Sequence, residues 1–143
     1  MSAITVRGID HLVLRTAQVD TLRRFYGEVL GCHLERAQEA LGLYQLRAGS
    51  ALIDLVDVNG QLGRAGGPAP GEQARNLDHF CLRVDPFDEA AIRAHLTAHG
   101  VDAPETARRY GAEGSGPSIY IADPDGNVVE LKGPPDRAVP AAG

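Results

Sequence analysis

Nine residues near the start of the chain, GIDHLVLRT (8–16), return in altered form at 76–84 as NLDHFCLRV. Each copy carries Asp-His, two further apolar-type residues and Leu-Arg, and His11 and His79 stand 68 positions apart. An echo at that distance in a chain of 143 residues leaves room for two small halves built on one plan. The residues downstream of each copy distinguish an isolated motif from a repeated module.

The first copy reads as a strand from Ile9 to Arg15. Val19, Leu22, Phe25, Tyr26, Val29 and Leu30 then recur at helical spacing, and Gly31 is placed to end the helix. Three short strands are predicted at 32–37, 41–47 and 51–58, with Gly49-Ser50 as the turn between the last two. The second copy repeats the order. A strand at 77–84 leads into a helix at 87–99 that ends on Gly100, then a weak strand at 102–107. The glycine-rich stretch RRYGAEGSGP reads as a loop, and a flexible lid. A strand at 118–122, a DPDGN turn and a closing strand at 128–132 complete the half. The two capping glycines are 69 positions apart. The echo is therefore a whole βαβββ module, repeated at 8–58 and 76–133. The stretch at 59–75 reads as a linker and the tail at 134–143 as disordered.

The formal net charge is −5 and no basic run occurs, so no nucleic-acid partner is expected. No apolar run approaches the roughly 20 residues that cross a bilayer. The first ten residues, MSAITVRGID, lack an h-region and a cleavage pattern. With two cysteines only, Cys32 and Cys81, the chain is expected to be soluble and cytoplasmic.

Strand periodicity places His11 on one face with Val13 and Arg15, and His79 with Cys81 and Arg83. The final strand of each half carries a carboxylate between apolar neighbours, Asp54 in ALIDLVD and Glu130 in NVVELKG. Such a carboxylate is costly to bury unless it is paired or holds a metal. Two imidazoles and two carboxylates suit a divalent first-row ion, and Zn, Ni, Fe, Mn and Co all remain open.

The elements DHLVLRT, RFYGEVLGCHL, LDHFCLRV and YIADPDGNVVEL occur in an order that resembles the vicinal oxygen chelate superfamily. That superfamily includes glyoxalase I, fosfomycin-resistance enzymes, extradiol dioxygenases and bleomycin-binding proteins. The resemblance spans about residues 8–133. It implies an α+β fold of two tandem βαβββ modules forming a cupped mixed sheet around a metal. It carries the ligand role to His11, His79 and Glu130. Asp54 falls where glyoxalase I has a fourth ligand, typically Glu, so Asp54 reads as a fourth ligand or as a base. A Ser-x-Tyr strand after a glycine-rich stretch is similar to the fosfomycin-resistance branch. It places Ser118 and Tyr120 near substrate, with Arg108 or Arg109 facing an anionic group.

The implied function is a metal-dependent glyoxalase-like lyase or isomerase acting on a small oxygen-chelating substrate, with Glu130 and Asp54 in catalysis and a homodimer as assembly. Three other readings compete: extradiol cleavage at a His-His-Glu iron site, modification of fosfomycin, and metal-free binding of a small molecule. Several residues carry plainer expectations. Cys81 reads as a buried inert thiol, Arg15 and Arg83 as strand-end side chains, and His33, His95 and His99 as solvated.

Overall fold

The computed structural model describes residues 7–73, 75 and 77–138. The first repeat forms strand β1 (His11–Thr16), with Leu14 and Thr16 buried and His11 and Val13 exposed, the alternation that period two requires. The helical spacing gives α1 (Val19–Arg24), continued by a wider π-turn over Phe25–Val29. Gly31 stops it at φ +73°, where the Cys32 N–H donates back to the Tyr26 carbonyl at 2.7 Å. That reversal needs a left-handed residue, which glycine supplies without a Cβ clash. Strands β2 (Leu34–Gln38), β3 (Leu43–Ala48) and β4 (Ala51–Asp57) come next. Their sheet order is β1-β4-β3-β2, parallel between β1 and β4 and antiparallel elsewhere. Leu14, Leu46, Ile53 and Leu55 share one sheet face and are buried, as are Leu22, Phe25 and Tyr26 of the helix. Each such side chain contributes about 1.5–3 kcal/mol by leaving water.

The second half repeats the plan. Strand β5 (His79–Arg83) leads to α2 (Glu89–Ala98), which Asp88 caps by accepting from the Ala91 N–H at 3.1 Å. Strands β6 (Ala107–Gly111), β7 (Gly114–Ala122) and β8 (Val128–Lys132) complete a sheet ordered β5-β8-β7-β6, again parallel only between β5 and β8. Ile119, Ile121, Val129, Leu131 and Leu96 form its buried apolar set. Contacts divide the chain into two units, Met1–Pro70 and Gly71–Gly143, each one βαβββ module of an α+β fold, as the sequence repeat predicts.

Three expectations are corrected. RRYGAEGSGP is no free loop: Ala107–Gly111 and Gly114–Ala122 pair antiparallel, and Gly111 and Gly114 are partners across the turn. Its glycines serve close approach. A Cβ on Gly116 would meet the Pro134 carbonyl oxygen at 2.6 Å, and one on Gly111 would meet Lys132 Cε at 2.8 Å. The tail does not begin disordered, because Arg137–Ala138 form strand β9 against Gly114 and Ser115. Asp136 there also ion-pairs with Arg108 at 2.8 Å. The linker is built at its start, where Gly63–Gly66 form a 3₁₀ turn. Arg15 Nη2 donates to the carbonyls of Gly63 (2.9 Å) and Gly67 (2.6 Å), so Arg15 is a clamp and more than a strand-end side chain. Residues 1–6, 74 and 76, and the tail's residues 139–143, lie outside the described residues.

Candidate functional site

The site is built twice, on one register. In the first unit Leu52 lies opposite His11 and Asp54 opposite Val13, so His11 and Asp54 share a face. In the second, Val128 lies opposite His79 and Glu130 opposite Cys81, the same offset. On the other side of each carboxylate strand, Gln45 faces Asp54 and Tyr120 faces Glu130. The second register is fixed by the DPDGN turn. Asp123 Oδ1 accepts from the N–H groups of Asp125 and Asn127 at 2.9 and 2.8 Å, and Gly126 takes φ +81°.

Both histidines are oriented by the residue before them. Asp10 Oδ1 lies 2.7 Å from His11 Nδ1, and Asp78 Oδ2 lies 2.8 Å from His79 Nδ1. A carboxylate on Nδ1 fixes the ring and leaves Nε2 as the donor atom, the arrangement found behind metal-bound imidazoles. The Asp10 hydrogen bond, and then the charge of Asp54, raise the His11 pKa above its ordinary value. The repeated Asp-His is plain in the sequence, but the role of Asp10 and Asp78 emerges only from this geometry.

The second unit brings its predicted ligands together. His79 Nε2 stands 3.4 Å from Glu130 Oε1, and the Glu130 residue is 6% exposed. Two donors each about 2.1 Å from one ion at a tetrahedral angle stand about 3.4 Å apart. The pair therefore fits two positions of a small divalent ion. In the first unit Asp54, 4% exposed, is held by Gln45 Nε2 at 3.3 and 3.2 Å from its two oxygens. These long bonds orient the carboxylate. Gln45 is absent from the residues that the sequence singles out, although its place on β3 matches that of Tyr120 on β7. Among the described residues no group of three or more His, Cys, Asp or Glu side chains is placed so that it could hold a metal ion.

Around Glu130 the surroundings are polar. Tyr120 meets the His79 ring edge-on at 5.3 Å and takes the Arg109 guanidinium 4.1 Å from its own centroid. Desolvation, followed by the Glu130 charge, raises its pKa. Arg109 Nη1 donates to Ser118 Oγ at 2.9 Å and to the Ser118 carbonyl at 3.1 Å. Ser118, Tyr120 and Arg109 are thus one connected group. Arg108, the other arginine considered, is committed to Asp136. Cys81 departs from expectation by keeping an exposed surface. Its sulfur is still partly shielded from water and donates to the Leu82 carbonyl at 3.9 Å. Desolvation first and the Glu130 charge second push its pKa up to about 11, so it is an inert thiol. Arg83 is ion-paired with Glu113 at 2.8 Å.

Comparison with known proteins gives a consistent family. Residues 8–131 match the family described as Glyoxalase/Bleomycin resistance protein/Dioxygenase superfamily. The chain is 32% identical over 125 residues to Virulence protein STM3117 of Salmonella typhimurium, covering 86% of this chain and 81% of that protein. The solved structure of that protein matches with a TM-score of 0.74 and 26% identity, over 92% of this chain and 99% of the other. Glyoxalase domain-containing protein RDO1 of Mycosarcoma maydis is 34% identical over 131 residues, covering 90% of this chain and 69% of its own. The solved structure of lactoylglutathione lyase from Agrobacterium tumefaciens matches with a TM-score of 0.64 and 25% identity, over 90% of this chain and 94% of the other.

Proposed function

The chain belongs to the Glyoxalase/Bleomycin resistance protein/Dioxygenase superfamily, and on that premise we propose that it is a divalent-metal-dependent enzyme of the glyoxalase type. The reaction would be a lyase or isomerase conversion of a small substrate that chelates through oxygen. The observation that carries the reading is the His79–Glu130 pair. Its donor atoms stand 3.4 Å apart, and Asp78 turns the imidazole so that Nε2 faces the carboxylate. The likeness to a lactoylglutathione lyase over nearly all of the chain supports the reaction type.

In this reading the donors are His79, Glu130 and His11, with Asp54 as fourth ligand or as base. The metal is Zn, Ni, Fe, Mn or Co, each compatible with imidazole and carboxylate. When bound, the metal supplies Lewis-acid stabilisation of a developing enolate or alkoxide oxygen. The chain's own residues do the rest. Asp54, buried and oriented by Gln45, can take the proton at the carbon beside a substrate carbonyl. Tyr120 and Ser118 shape the floor of the second unit's face, and Arg109 stands over Tyr120 to meet substrate. Members of the superfamily bind small molecules and often form dimers, and a homodimer is proposed here.

Proton chemistry is testable without knowing the substrate. Metal-loaded protein in D₂O, offered hemithioacetals and α-hydroxyketones, should exchange the proton beside the carbonyl, as read by proton resonance spectra. Asp54→Ala should abolish the exchange while still retaining metal at lower affinity. Full exchange in Asp54→Ala would remove its role as base. No exchange on any such compound by the metal-loaded protein would contradict the lyase or isomerase reading.

A further inference from the structure

Helix α2 ends on a histidine pair that the candidate site does not use. His95 and His99 stand four residues apart, the spacing that puts side chains on one stripe of a helix. Both are exposed, and their ring centroids lie 4.6 Å apart with 57° between the planes. The turn that carries them is fixed. Leu96, 1% exposed, anchors it from the buried side. The His99 N–H donates to the carbonyls of His95 and Leu96 at 3.2 and 3.1 Å. The Gly100 N–H donates to Thr97 at 3.0 Å, and the Val101 N–H reaches back to Leu96 at 2.8 Å. Gly100 takes φ +69°, the left-handed residue that closes a helix in this way. The two rings are therefore held at their spacing by a closed helix end.

The surroundings favour a cation at the pair. The end of a helix carries the partial negative charge of its macrodipole. Arg93, the one Lys or Arg of α2, is committed elsewhere. It pairs with Glu89 at 3.1 Å and donates to the carbonyls of Ala103 (3.1 Å) and Pro104 (2.7 Å). Two residues from His95, it lies on another face of the helix. The histidine stripe continues instead to Ala91, one turn earlier, whose methyl group leaves the approach open.

The spacing of the rings selects a geometry. Two imidazoles bound to one ion at about 2.0–2.1 Å hold their ring centres roughly 3.2 Å from it. The centres then stand about 4.5 Å apart at a right angle and about 5.2 Å apart at a tetrahedral one. The observed 4.6 Å matches adjacent corners of a square-planar or tetragonal ion. The second side-chain torsion of histidine is broad, so an exposed ring turns its nitrogen to the ion at little cost. We propose that His95 and His99 form a two-point chelating site for Cu(II) or Ni(II), separate in its residues from the His79–Glu130 pair. Water fills the remaining positions. With two protein donors the ion exchanges with solvent, so the site is seen by titration and not by metal retained through purification. A bound ion bridges consecutive turns and stabilises the end of α2 by mass action.

The test titrates Cu(II) into the full chain and follows backbone proton–nitrogen resonances, which the paramagnetic ion broadens near its site. Saturable broadening is expected over residues 92–101. The readout is residue by residue, so it does not depend on whether the His79–Glu130 pair holds a metal. His95→Gln and His99→Gln should each weaken the response at α2 about tenfold or more, because the second imidazole binds as a linked group. Adding Thr97→His to His99→Gln keeps two histidines but sets them on different faces, and should restore nothing. Mn(II), which ranks lowest for such donors, should leave these resonances sharp at the Cu(II) concentrations used. Equal affinity in either single variant, recovery with Thr97→His, equal broadening by Mn(II), or no saturable broadening at the end of α2 would each overturn the proposal.

Discussion

The two units share a register and differ in what they place on it. His11, Asp54 and Gln45 occupy the positions of His79, Glu130 and Tyr120. Each histidine is anchored by its preceding aspartate. The carboxylates part company: Glu130 reaches its histidine, while Asp54, one methylene shorter, is taken up by Gln45. Two strand positions away the contrast sharpens, with Leu43 and Val56 in one unit and Ser118 and Lys132 in the other. A repeated scaffold thus carries a histidine–carboxylate pair beside polar side chains in one half, and an oriented carboxylate beside apolar neighbours in the other. Because the scaffold is common to both, these differences mark chemistry and are not demands of the fold.

The largest expected effect comes from removing a donor of the closer pair. His79→Ala or Glu130→Ala should leave no measurable tight metal in a chelator competition, and wild-type affinity in either would break the pairing. Next is the interchange of the units: Asp54→Glu should tighten metal binding by restoring the missing methylene and lower proton exchange by spending the base as a ligand. Unchanged affinity and rate would show that chain length at this position does not matter. The anchors come third. Asp78→Asn and Asp10→Asn should each weaken metal binding about 10–100-fold, the usual scale for a residue behind a metal-bound imidazole. The Asp10 change has a second signature. Its carboxylate raises the His11 pKa, so the imidazolium persists to higher pH in the wild type and competes with metal there. Asp10→Asn should move the acid limb of metal binding to lower pH, and an unmoved limb would count against the anchor. The smallest effect concerns Cys81. With a pKa of about 11 it stays a thiol at pH 8, so iodoacetamide should label it slowly despite its exposure. Glu130→Gln removes a charge that holds the pKa up and should speed labelling.

Much of the arrangement is legible in the sequence because strand alternation is strict. Once ALIDLVD and the Asp-His segments are read as strands, the shared face of His11 with Val13, or of Glu130 with Lys132, comes from counting by two. The repeat then doubles the information in each segment. The hidden features depend on contacts between strands. Gln45 on Asp54 and Ser118 opposite Lys132 are set by hairpin register, which local sequence fixes weakly. RRYGAEGSGP reads as a loop because glycine normally signals chain freedom, whereas here the crowding comes from Lys132 and Pro134 on neighbouring chain. The tail reads as disordered for the same reason: its pairing partners, Gly114 and Ser115, lie inside the supposed loop. Lys132 is visible as a residue beside Glu130, but its burial is not.

Metal donation by the His-carboxylate pairs is the proposal on which the proposed function depends. It is tested most directly by elemental analysis of protein purified without chelators or a metal-affinity column, beside His79→Ala. About one divalent ion per chain is expected in the wild type, and its loss in the variant. No metal in the wild type, and none taken up from Ni, Zn, Mn, Fe or Co, would contradict it, as would full occupancy in His79→Ala.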